Sequence, residues 1–409
     1  MKILIVTQYF YPEEFRINDL ALSLKNMGHE VTILTGMPNY PEGHFFKGYG
    51  LSGPYTDIYE GMQIYRVPII PRGNGSGIGL LLNFISFAVS GSLFSLIKLK
   101  KHFDIIFVFQ MSPVTLGIPA IVLKAIKNTP VIFWVQDLWP ESLEATGAIR
   151  SKFLLSLVRC MVKFIYSKCD RILMQSQAFE KPISALHADK KRLLYFPNSA
   201  EELYKPIILE EQAPERKEVP NGFIVMFAGN IGVAQDFDTI LEAATIVAAY
   251  PDIHFVVLGN GRDFTRVQEQ IQKRALTTTV HLLGRRPKEA MPGYFSLADV
   301  MLVSLKKEPI FALTIPSKIQ SYMACAKPII TSLDGEGSRI VQEAGAGITV
   351  PAENPQELAD AVISMYRMTP LDRQQMGERG QDYFKQHFER TLLANKLNTW
   401  MLELTGKAS

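Results

Sequence analysis

The sequence predicts an α/β protein built from two Rossmann-like domains. Short runs of β-branched residues alternate with longer segments of helical periodicity, a pattern typical of βαβ units and a parallel sheet. The alternation begins at 2–7 and begins again at 223–229, after a polar, proline-containing segment at 205–221. A chain of 409 residues is long enough for two domains that each bury a core. Because ligands bind at the carboxyl ends of parallel strands, we expect the domains to face an interdomain cleft.

The predicted boundary divides the chain into a first domain at 1–198 and a second at 199–389. The predicted strands of the first domain are 2–7, 30–35, 104–109, 131–135 and 171–174, with helices near 16–28 and 113–126. Those of the second are 223–229, 253–258, 279–283, 299–303 and 328–331, with helices at 237–249 and near 317–325. A final helical stretch covers about 381–404, and the C-terminal helix, about 390–409, is a candidate to pack back on the first domain.

Charge and cysteine content exclude several classes of protein. The chain has 43 Lys and Arg residues against 40 Asp and Glu, a net charge of +3, so we expect no nucleic-acid partner. Cys160, Cys169 and Cys325 lack the spacing of a zinc site or a disulfide framework. The opening apolar run is shorter than that of a signal peptide. We therefore expect a cytoplasmic protein.

One strand end carries an unusual set of side chains. The strand at 131–135 continues as QDLWPE at 136–141. A buried carboxylate needs a partner, and most strands end in ordinary turn residues. We therefore take Asp137, with Trp139 and Glu141, as candidate functional residues at the rim of the cleft, although Trp139 also suits a place in the core.

The loop after the first strand argues against a dinucleotide site. A dinucleotide dehydrogenase carries G-x-G-x-x-G there, whereas this chain has TQYFYPEE at 7–14. Glu14, Arg16 and Asn18, in this loop and the following helix start, are placed to reach the cleft. A helix entry with surface charges is an equally good interpretation of Glu14.

In the second domain, glycines follow two predicted strands. The motifs are AGNIG at 228–232 and LGNGR at 258–262. Such glycines allow the backbone to approach a ligand closely, although they are also common in structural turns. The ligand-binding candidates in these two loops are Gly229, Asn230, Gly232, Gly259 and Arg262.

A sharper signal precedes the helix near 317–325. Pro316 and Ser317 suit a helix start, and Lys318 follows them. The free N–H groups of a helix N-terminus together with a lysine form a site for an anion such as a diphosphate. An ordinary helix cap beside a solvated lysine is the alternative.

A D-x-D pattern at the start of helix 237–249 invites a metal-site interpretation. Asp236 is, however, placed to cap this helix, and Asp238 to interact favourably with its dipole. We therefore predict that no metal is required.

Two segments suggest contact with a membrane. Residues 78–97 carry no charge and are about long enough to span a bilayer. A span here would divide one Rossmann sheet across the membrane, so we favour a helix packed on the domain with a lipid-facing side. Residues 150–168 are basic and amphipathic, as expected of a helix attracted to anionic lipid. An ordinary sheet-covering helix is the alternative for this second segment.

Short motifs along the whole chain carry a family resemblance. They are the first strand, LKNMGHEV (24–31), FPN (196–198), FAGN (227–230) and MACAKPII (323–330). With these landmarks the chain resembles glycosyltransferase family 4, retaining enzymes of the GT-B fold, over essentially its whole length. A narrower set comprises QYFYPE (8–13), PNYPEG (38–43), QDLWPES (136–142) and PSK (316–318). This set resembles the bacterial branch that builds O-antigen, capsule and colanic acid, and within it the L-fucosamine transferases.

The resemblance implies a retaining glycosyltransferase. It would move a deoxyamino sugar such as N-acetyl-L-fucosamine from a UDP-sugar to an undecaprenyl-diphosphate-linked saccharide. The nucleotide sugar would bind the second domain and the acceptor the first, without a metal or other cofactor. Asp137 stands where the family has a functional histidine or its neighbour, so Asp137 and Lys318 are the candidate catalytic residues. The candidate acceptor-binding residues are Glu14, Arg16, Asn18, Trp139 and Glu141. The enzyme would be cytoplasmic and peripheral on the inner face of the cell membrane, on an anionic lipid surface.

The chain departs from the family pattern at four positions. The family has an arginine and a lysine for the donor diphosphate, where this chain has Asn230 and Gln235. It also has two glutamates eight residues apart, where this chain has Leu313 and Ser321. The positive charge must therefore come from elsewhere. Lys318 is the first candidate, and the donor-binding set is completed by Arg262, Arg285, Arg286, Ser317 and Ser321.

Two other functions remain open at this point. A GT-B-fold nucleotide-sugar 2-epimerase would convert its donor without an acceptor. A non-catalytic nucleotide-sugar binding protein would explain the missing basic and acidic residues.

Overall fold

The computed structural model describes residues 1–75, 77–145, 147–149, 151–186 and 189–407. The strands are β1 (Lys2–Val6), β2 (Glu30–Gly36), β3 (Thr56–Tyr59), β4 (Met62–Val67), β5 (Ile105–Gln110), β6 (Val131–Val135), β7 (Arg171–Met174), β8 (Leu193–Tyr195), β9 (Phe223–Ala228), β10 (Ile253–Leu258), β11 (Val280–Gly284), β12 (Val300–Ser304), β13 (Ile329–Ser332) and β14 (Gly347–Val350).

The α-helices are α1 (Arg16–Asn26), α2 (Gly77–Lys98), α3 (Ile118–Lys127), α4 (Glu141–Ala145), α5 (Lys152–Lys168), α6 (Glu180–Leu186), α7 (Pro214–Glu218), α8 (Phe237–Ile246), α9 (Phe264–Lys273), α10 (Met291–Leu297), α11 (Pro309–Leu313), α12 (Ser317–Ala324), α13 (Glu336–Glu343), α14 (Pro355–Arg367), α15 (Pro370–His387) and α16 (Arg390–Thr405). Arg150, the first residue of the predicted basic segment, lies outside the described residues.

The chain forms two compact units. Unit 1 contains 1–197 and 390–409, and unit 2 contains 198–389. The division falls one residue before the predicted boundary. The fold class, an α/β protein with two Rossmann-like domains, is confirmed by the sheets that follow.

Unit 1 contains an eight-stranded sheet in the order β3-β4-β2-β1-β5-β6-β7-β8. All neighbouring strands are parallel except β3 and β4, which pair antiparallel at one edge. In β1, Ile3 aligns with Val31 of β2 and Ile105 of β5, so all three side chains lie on one face. These central strands read as continuous apolar runs because helices cover both faces of the sheet.

Unit 2 contains a six-stranded sheet in the order β11-β10-β9-β12-β13-β14. All its neighbouring strands are parallel. The order reverses beside β9, because β10 lies on one side of this strand and β12 on the other. A reversal of this kind leaves a crevice at the carboxyl ends of the strands, where ligands of such sheets bind.

The last helix packs on the first unit. In α16, Leu393, Ala394, Leu397 and Met401 are buried in one apolar cluster with Ile3, Ile5 and Phe107 of the central strands. The predicted continuous stretch at about 381–404 is wrong in one respect, because α15 ends at His387 and α16 begins at Arg390. Phe388, between the two helices, is fully buried, so the chain turns inward there.

The strands that the sequence did not predict share a physical character. β3 alternates between exposed and half-buried residues, β4 begins with buried residues alternating with half-buried ones, and β8 and β14 have only three and four residues. Strands that are short or that carry polar residues in alternation lack the long apolar run of a central strand. The predicted helix at 237–249 also differs, because its α-helical part ends at Ile246 and 247–249 form a 3₁₀ turn.

Replacement of Leu397 by alanine should destabilise unit 1 by about 2–5 kcal/mol, because a fully buried leucine leaves a cavity. All three tryptophans of the chain, Trp134, Trp139 and Trp400, lie in unit 1. Tryptophan fluorescence during urea unfolding therefore reports on this unit. Leu392→Ala in the same helix is the matched control, because this leucine is 41% exposed. Equal effects of the two substitutions would contradict the packing of α16 on the sheet.

Candidate functional site

The carboxyl ends of the unit 2 strands meet in a set of hydrogen-bonded loops. The Gly229 N–H donates to the Leu258 carbonyl at 2.8 Å, and the Gly259 N–H donates to the Gly284 carbonyl at 2.9 Å. These bonds join the loops after β9, β10 and β11. The sheet therefore brings the two predicted glycine loops to one edge.

Two of the predicted glycines are required by the close approach of these loops. Gly259 has a φ of +143°, and a Cβ atom there would lie 1.8 Å from the Gly229 carbonyl oxygen. Gly229 has a φ of +146°, and its Cβ would lie 2.4 Å from Cε of Lys318. Position 259 is closed to other residues by the backbone clash as well as by φ, whereas at position 229 the φ disfavours other residues and a Cβ would displace the Lys318 side chain. The backbone of β9 thus lies directly against the side chain of the predicted anion-binding lysine.

Helix α12 is fixed to the end of β9 through Tyr322. The Tyr322 hydroxyl accepts the Ala228 N–H at 3.1 Å and donates to the Ala228 carbonyl at 3.2 Å. Ile319, one turn earlier, is fully buried. These contacts hold the N-terminus of the helix, with Ser317 and Lys318, beside the glycine loop. The first N–H groups of a helix have no acceptor within it.

The ammonium group of Lys318 has an unusual environment. Its Nζ lies 3.6 Å from the centroid of the Phe227 ring. Among the described residues it has no carboxylate or hydrogen-bond partner. Burial lowers the pKa of Lys318 to about 7. A desolvated ammonium without a counter-ion favours an anionic ligand, because an adjacent negative charge restores its charged form.

The positions where the family has its arginine and lysine carry neutral side chains that bind each other. The Asn230 amide nitrogen lies 3.3 Å from the Gln235 side-chain oxygen, which also accepts the Gly232 N–H at 3.1 Å. The Asn230 and Gln235 side chains therefore stabilise the loop at Gly232 by hydrogen bonds and contribute no charge. The departure from the family pattern is therefore accommodated by hydrogen bonds, and Lys318 is a cation whose side chain lies against the neighbouring Gly229.

The other predicted donor-binding residues differ in solvent exposure and in the partners that they already have. Arg262, Arg285 and Ser317 are exposed. Arg286 is engaged with Glu218, whose carboxylate lies 2.6 Å from its guanidinium and 2.8 Å from the Tyr294 hydroxyl. Ser321 is buried and donates to the Ser317 carbonyl of its own helix at 3.3 Å. Of this set, the structure places only Ser317 and Ser321 on the same helix as Lys318.

The prediction that the Asp236 side chain caps α8 by a hydrogen bond is wrong. Asp236 occupies the cap position with a φ of +49°, and its side chain accepts no hydrogen bond from the first turn. An N-cap residue normally has extended backbone geometry, which aims its oxygen at the helix N–H groups. Asp238 instead pairs with Arg266 at 2.6 Å. No group of three or more His, Cys, Asp or Glu residues suited to a metal occurs in the described part of the chain.

In unit 1, Asp137 follows β6 at the carboxyl edge of the sheet. Its carboxylate accepts hydrogen bonds from the Trp139 indole, 3.2 Å away, and from the hydroxyls of Ser112 and Ser142. Burial raises the pKa of Asp137 to about 6, which outweighs the opposing effect of these three donors. The group therefore titrates close to neutral pH, as a catalytic acid or base often does.

Trp139 and Glu141 lie beside Asp137 in different roles. Trp139 is 7% exposed and packs its ring edge to face on Phe84 of α2, with centroids 6.2 Å apart. Glu141 begins α4, and one of its carboxylate oxygens is buried without a hydrogen-bond partner. Its negative charge also raises the pKa of Asp137. The structure thus brings Asp137, Trp139 and Glu141 together, with Trp139 in the core.

The predicted acceptor-binding residues after β1 differ in solvent exposure. Glu14 is exposed and Arg16 is half-buried. Asn18 is buried, and its amide donates to the Glu13 carbonyl at 2.8 Å. Asn18 therefore holds the loop to the first turn of α1.

Comparison with known proteins identifies the family. Residues 14–199 match the model of the glycosyl transferase 4-like domain, and 209–383 match that of glycosyl transferases group 1. The chain is 27% identical to the probable glycosyltransferase WbjE of Pseudomonas aeruginosa over 65% of this chain and 66% of that protein. It is 24% identical to the colanic acid biosynthesis glycosyl transferase WcaI of Escherichia coli, over 79% and 81% of the two chains. The chain belongs to the glycosyltransferases.

Solved structures agree on the fold of this glycosyltransferase. Sucrose-phosphate synthase from Thermosynechococcus elongatus superposes with a TM-score of 0.74 at 16% identity, covering 100% of both chains. Anabaena HepE, in complex with UDP and glucose, superposes with a TM-score of 0.69 at 14% identity, covering 98% of this chain and 99% of that chain. These likenesses confirm the GT-B fold.

Glu13 is a buried group of the glycosyltransferase that the sequence did not single out. One of its carboxylate oxygens accepts the N–H groups of Asn39 and Tyr40, both at 2.8 Å, and the other accepts that of Phe10 at 3.3 Å. It therefore ties the loop after β2 to the loop after β1. Burial raises the pKa of Glu13 to about 7. Its place in the QYFYPE motif is the sequence feature that could have identified Glu13 as a functional candidate.

Proposed function

We propose that this glycosyltransferase moves a sugar from a UDP-sugar, bound by unit 2, to a lipid-linked saccharide acceptor, bound by unit 1. The environment of Lys318 is the observation that supports a UDP-sugar site in unit 2. Its ammonium lies at a helix N-terminus, against the closely approached backbone of Gly229, without a counter-ion among the described residues. A diphosphate supplies the negative charge that both the lysine and the helix favour.

Breaking the bond between sugar and diphosphate develops negative charge on the departing phosphate and positive charge on the sugar ring. Lys318 and the N–H groups that begin α12 would stabilise the phosphate, an electrostatic role that needs no rearrangement. Retention of configuration would follow if the acceptor attacks from the same face and the leaving phosphate takes the proton. Asp137 would stabilise the ring charge or orient the acceptor hydroxyl.

The nature of donor and acceptor is supported by the relatives. WbjE is named a probable glycosyltransferase, and the name of WcaI refers to colanic acid biosynthesis, which supports a place in surface polysaccharide synthesis such as O-antigen or capsule. The structure of HepE with UDP and glucose supports a UDP-linked donor. We keep N-acetyl-L-fucosamine as the proposed sugar and an undecaprenyl-diphosphate-linked saccharide as the proposed acceptor, with no metal required.

A nucleotide-sugar epimerase and a non-catalytic binding protein are the competing proposals. Both would use the same Lys318 site. The mass of the product separates them from a transferase, because an epimerase leaves the mass of its donor unchanged and a binding protein yields no product.

The outer face of α2 supports peripheral attachment to a membrane. Its exposed side chains are Ile78, Leu81, Leu82, Ile85, Val89, Leu93, Leu96 and Ile97. This helix is long and apolar enough to cross a bilayer by length and composition. Its inner face is, however, seated on unit 1, where Asn83 accepts a hydrogen bond from Gln8 at 2.6 Å and donates one to the Ile70 carbonyl at 2.6 Å. Contact along one side of the helix fits this arrangement.

Positive charge surrounds this apolar face. The sequence from 61 to 103 contains no acidic residue, and Lys98, Lys100 and Lys101 follow the end of the exposed stripe. Helix α5 adds exposed Phe153, Leu157 and Phe164 together with four basic residues. A basic, apolar surface of this kind is attracted to anionic phospholipid. We therefore place the enzyme on the inner face of the cytoplasmic membrane.

Binding of a UDP-sugar should be accompanied by proton uptake through Lys318. Free Lys318 is mostly neutral above about pH 7, and the bound diphosphate should raise its pKa toward the ordinary value. Uptake should therefore approach one proton at pH 8.5 and fall toward zero at pH 6. Isothermal titration in buffers of different ionisation enthalpy measures it.

In the same titrations, Lys318→Met should abolish the uptake and weaken binding about 10- to 100-fold. Lys205→Met, at an exposed lysine of the same unit, is the matched control. Wild-type protein that binds no UDP-, GDP- or ADP-sugar would exclude the donor site. Binding without proton uptake would exclude Lys318 as the diphosphate partner.

Asp137→Asn should lower turnover about 100-fold or more while raising the stability of unit 1 at neutral pH. The folded pKa of about 6 exceeds the ordinary 3.8, so the carboxylate destabilises the fold above about pH 6. At pH 7.5 the gain should be about 1–3 kcal/mol, and it should shrink as the pH falls through 6 toward 4. Urea unfolding followed by tryptophan fluorescence measures it.

The control for Asp137→Asn is Glu144→Gln, because Glu144 is an exposed carboxylate in the neighbouring helix α4. It should change stability by less than about 0.5 kcal/mol and leave turnover intact. Near-normal turnover of Asp137→Asn would eliminate a catalytic role for its charge.

Combined substitution of Leu81, Val89 and Leu93 by asparagine should release the enzyme from membranes. Each of these side chains is more than half exposed, so the fold should tolerate the change. Flotation with liposomes that contain phosphatidylglycerol should show a bound fraction at least several-fold below wild type. Leu371→Asn, at a leucine of unit 2 that is 61% exposed, is the control. A wild-type enzyme that stays at the bottom of the gradient would refute attachment.

A further inference from the structure

Three aromatic rings form a cluster at the carboxyl edge of the unit 1 sheet. Ring centroids of Tyr9 and Phe15 are 5.4 Å apart, those of Tyr9 and Tyr40 are 5.6 Å apart, and those of Phe15 and Tyr40 are 5.3 Å apart. Tyr9 is buried, whereas Tyr40 is 38% exposed at the rim of the cluster. The rings come from the loops that follow β1 and β2.

Arg72 lies on this cluster without a charged partner. Its guanidinium carbon is 4.9 Å from the centroid of the Tyr40 ring. Its side chain makes no ion pair or hydrogen bond with any other described residue, and only its backbone N–H donates, to the Asn39 side chain at 3.1 Å. The contrast with Arg66 nearby is clear, because Arg66 is fully buried and pairs with Asp57 at 3.1 Å.

The surrounding loops are held in place independently of any ligand. Glu13 accepts the N–H groups of Asn39 and Tyr40, and the Asn39 side-chain oxygen accepts the Arg72 N–H. These bonds join the loop after β1, the loop after β2 and the segment after β4. The Tyr40 ring then supports the guanidinium, whose carbon lies 4.9 Å from the ring centroid, and no described side chain pairs with its N–H groups. A guanidinium supported in this way is suited to bidentate recognition of a phosphate.

The position of Arg72 in the chain adds a second requirement for the ligand. Arg72 stands five residues before Gly77, where α2 begins with its exposed apolar stripe. A ligand that reached both features would carry an anionic group joined to a lipid chain. A lipid diphosphate has this chemistry.

We propose that Arg72, stacked on Tyr40, binds the diphosphate of the lipid-linked acceptor. Arg72 is the binding residue, and Tyr40 is a positioning residue that acts through it. The inference rests on the proposed function and names the part of the acceptor that unit 1 recognises. It assigns two anion sites to the enzyme, one for each substrate: Arg72 in unit 1 and Lys318 in unit 2.

Titration with farnesyl diphosphate, a soluble lipid diphosphate, tests the proposal. Arg72→Gln should weaken its binding roughly 10- to 100-fold, the loss expected for a bidentate charged hydrogen bond, and Arg72→Lys should fall in between. Tyr40→Leu should weaken binding about 3- to 10-fold, whereas Tyr40→Phe should bind as wild type because the ring alone supports the guanidinium. Lys47→Gln, at an exposed lysine of the same unit, is the charge control.

Further titrations separate this site from other anion sites. Farnesol should bind wild type and Arg72→Gln equally, because it lacks the diphosphate, and inorganic pyrophosphate should bind more weakly than farnesyl diphosphate. Phosphatidylglycerol vesicles should bind both proteins equally, since the proposal concerns the acceptor. Lys318→Met should lose UDP-sugar binding and keep farnesyl diphosphate binding.

Several outcomes would overturn the inference. They are unchanged farnesyl diphosphate binding by Arg72→Gln, an equal loss with farnesol, or an equal loss with phosphatidylglycerol vesicles. Each variant is first compared with wild type by thermal unfolding, and Arg72→Lys keeps the test valid if Arg72→Gln fails to fold. Wild type that binds farnesyl diphosphate but no nucleotide sugar would contradict the proposed function and leave the assignment of Arg72 standing.

Discussion

The desolvated ammonium group of Lys318 is the constraint around which unit 2 is arranged. It lies on the face of Phe227, the last apolar ring of β9, and its stem occupies the space that a side chain at position 229 would fill. The φ of +146° at position 229 favours glycine, a larger side chain there would displace the lysine stem, and the Tyr322 hydroxyl holds α12 at the strand end. A lysine placed this way lowers the stability of the fold, because burial disfavours its charge. Proteins retain such groups mainly where a function requires them.

In unit 1, burial also shifts pKa values toward neutral, but there it acts on carboxyl groups and raises their pKa. Asp137 and Glu13 are carboxyl groups at the carboxyl edge of the sheet, and burial raises the pKa of each toward neutral. Glu13 is fully used by three backbone N–H groups, so its role is to shape the loops. Asp137 has a glutamate neighbour that further disfavours its charge. A sugar transfer needs a cation at the leaving phosphate and an anion or polar group at the sugar, and in the proposed function Lys318 of unit 2 and Asp137 of unit 1 would supply these separately.

The sequence predicted features that depend on one strand and its adjacent loop. Strands β6 and β7 were predicted with the bounds they have, since β6 is an uninterrupted apolar run and β7 is apolar after Arg171. Lys318, Gly229 and Gly259 were predicted to lie at a ligand-binding edge because parallel strands share their carboxyl ends. Pairings across long sequence separations were not predictable. Arg286 pairs with Glu218, and Arg72 lies over the Tyr40 ring. No pattern in the neighbouring sequence predicts either contact.

The orientation of α2 would link the proposed membrane contact to the candidate site in unit 1. Its inward residues include Asn83 and Ser95, both fully buried, whereas leucine and isoleucine point outward. Crossing a bilayer would require Asn83 to give up its bonds to Gln8 and to the Ile70 carbonyl, and an unpaired amide in hydrocarbon is costly. The polar contacts therefore keep the helix on the sheet, beside the segment that carries Arg72. If the acceptor is lipid-linked, as proposed, a lipid lying along the outer face would bring its diphosphate to the same edge of the sheet as Asp137.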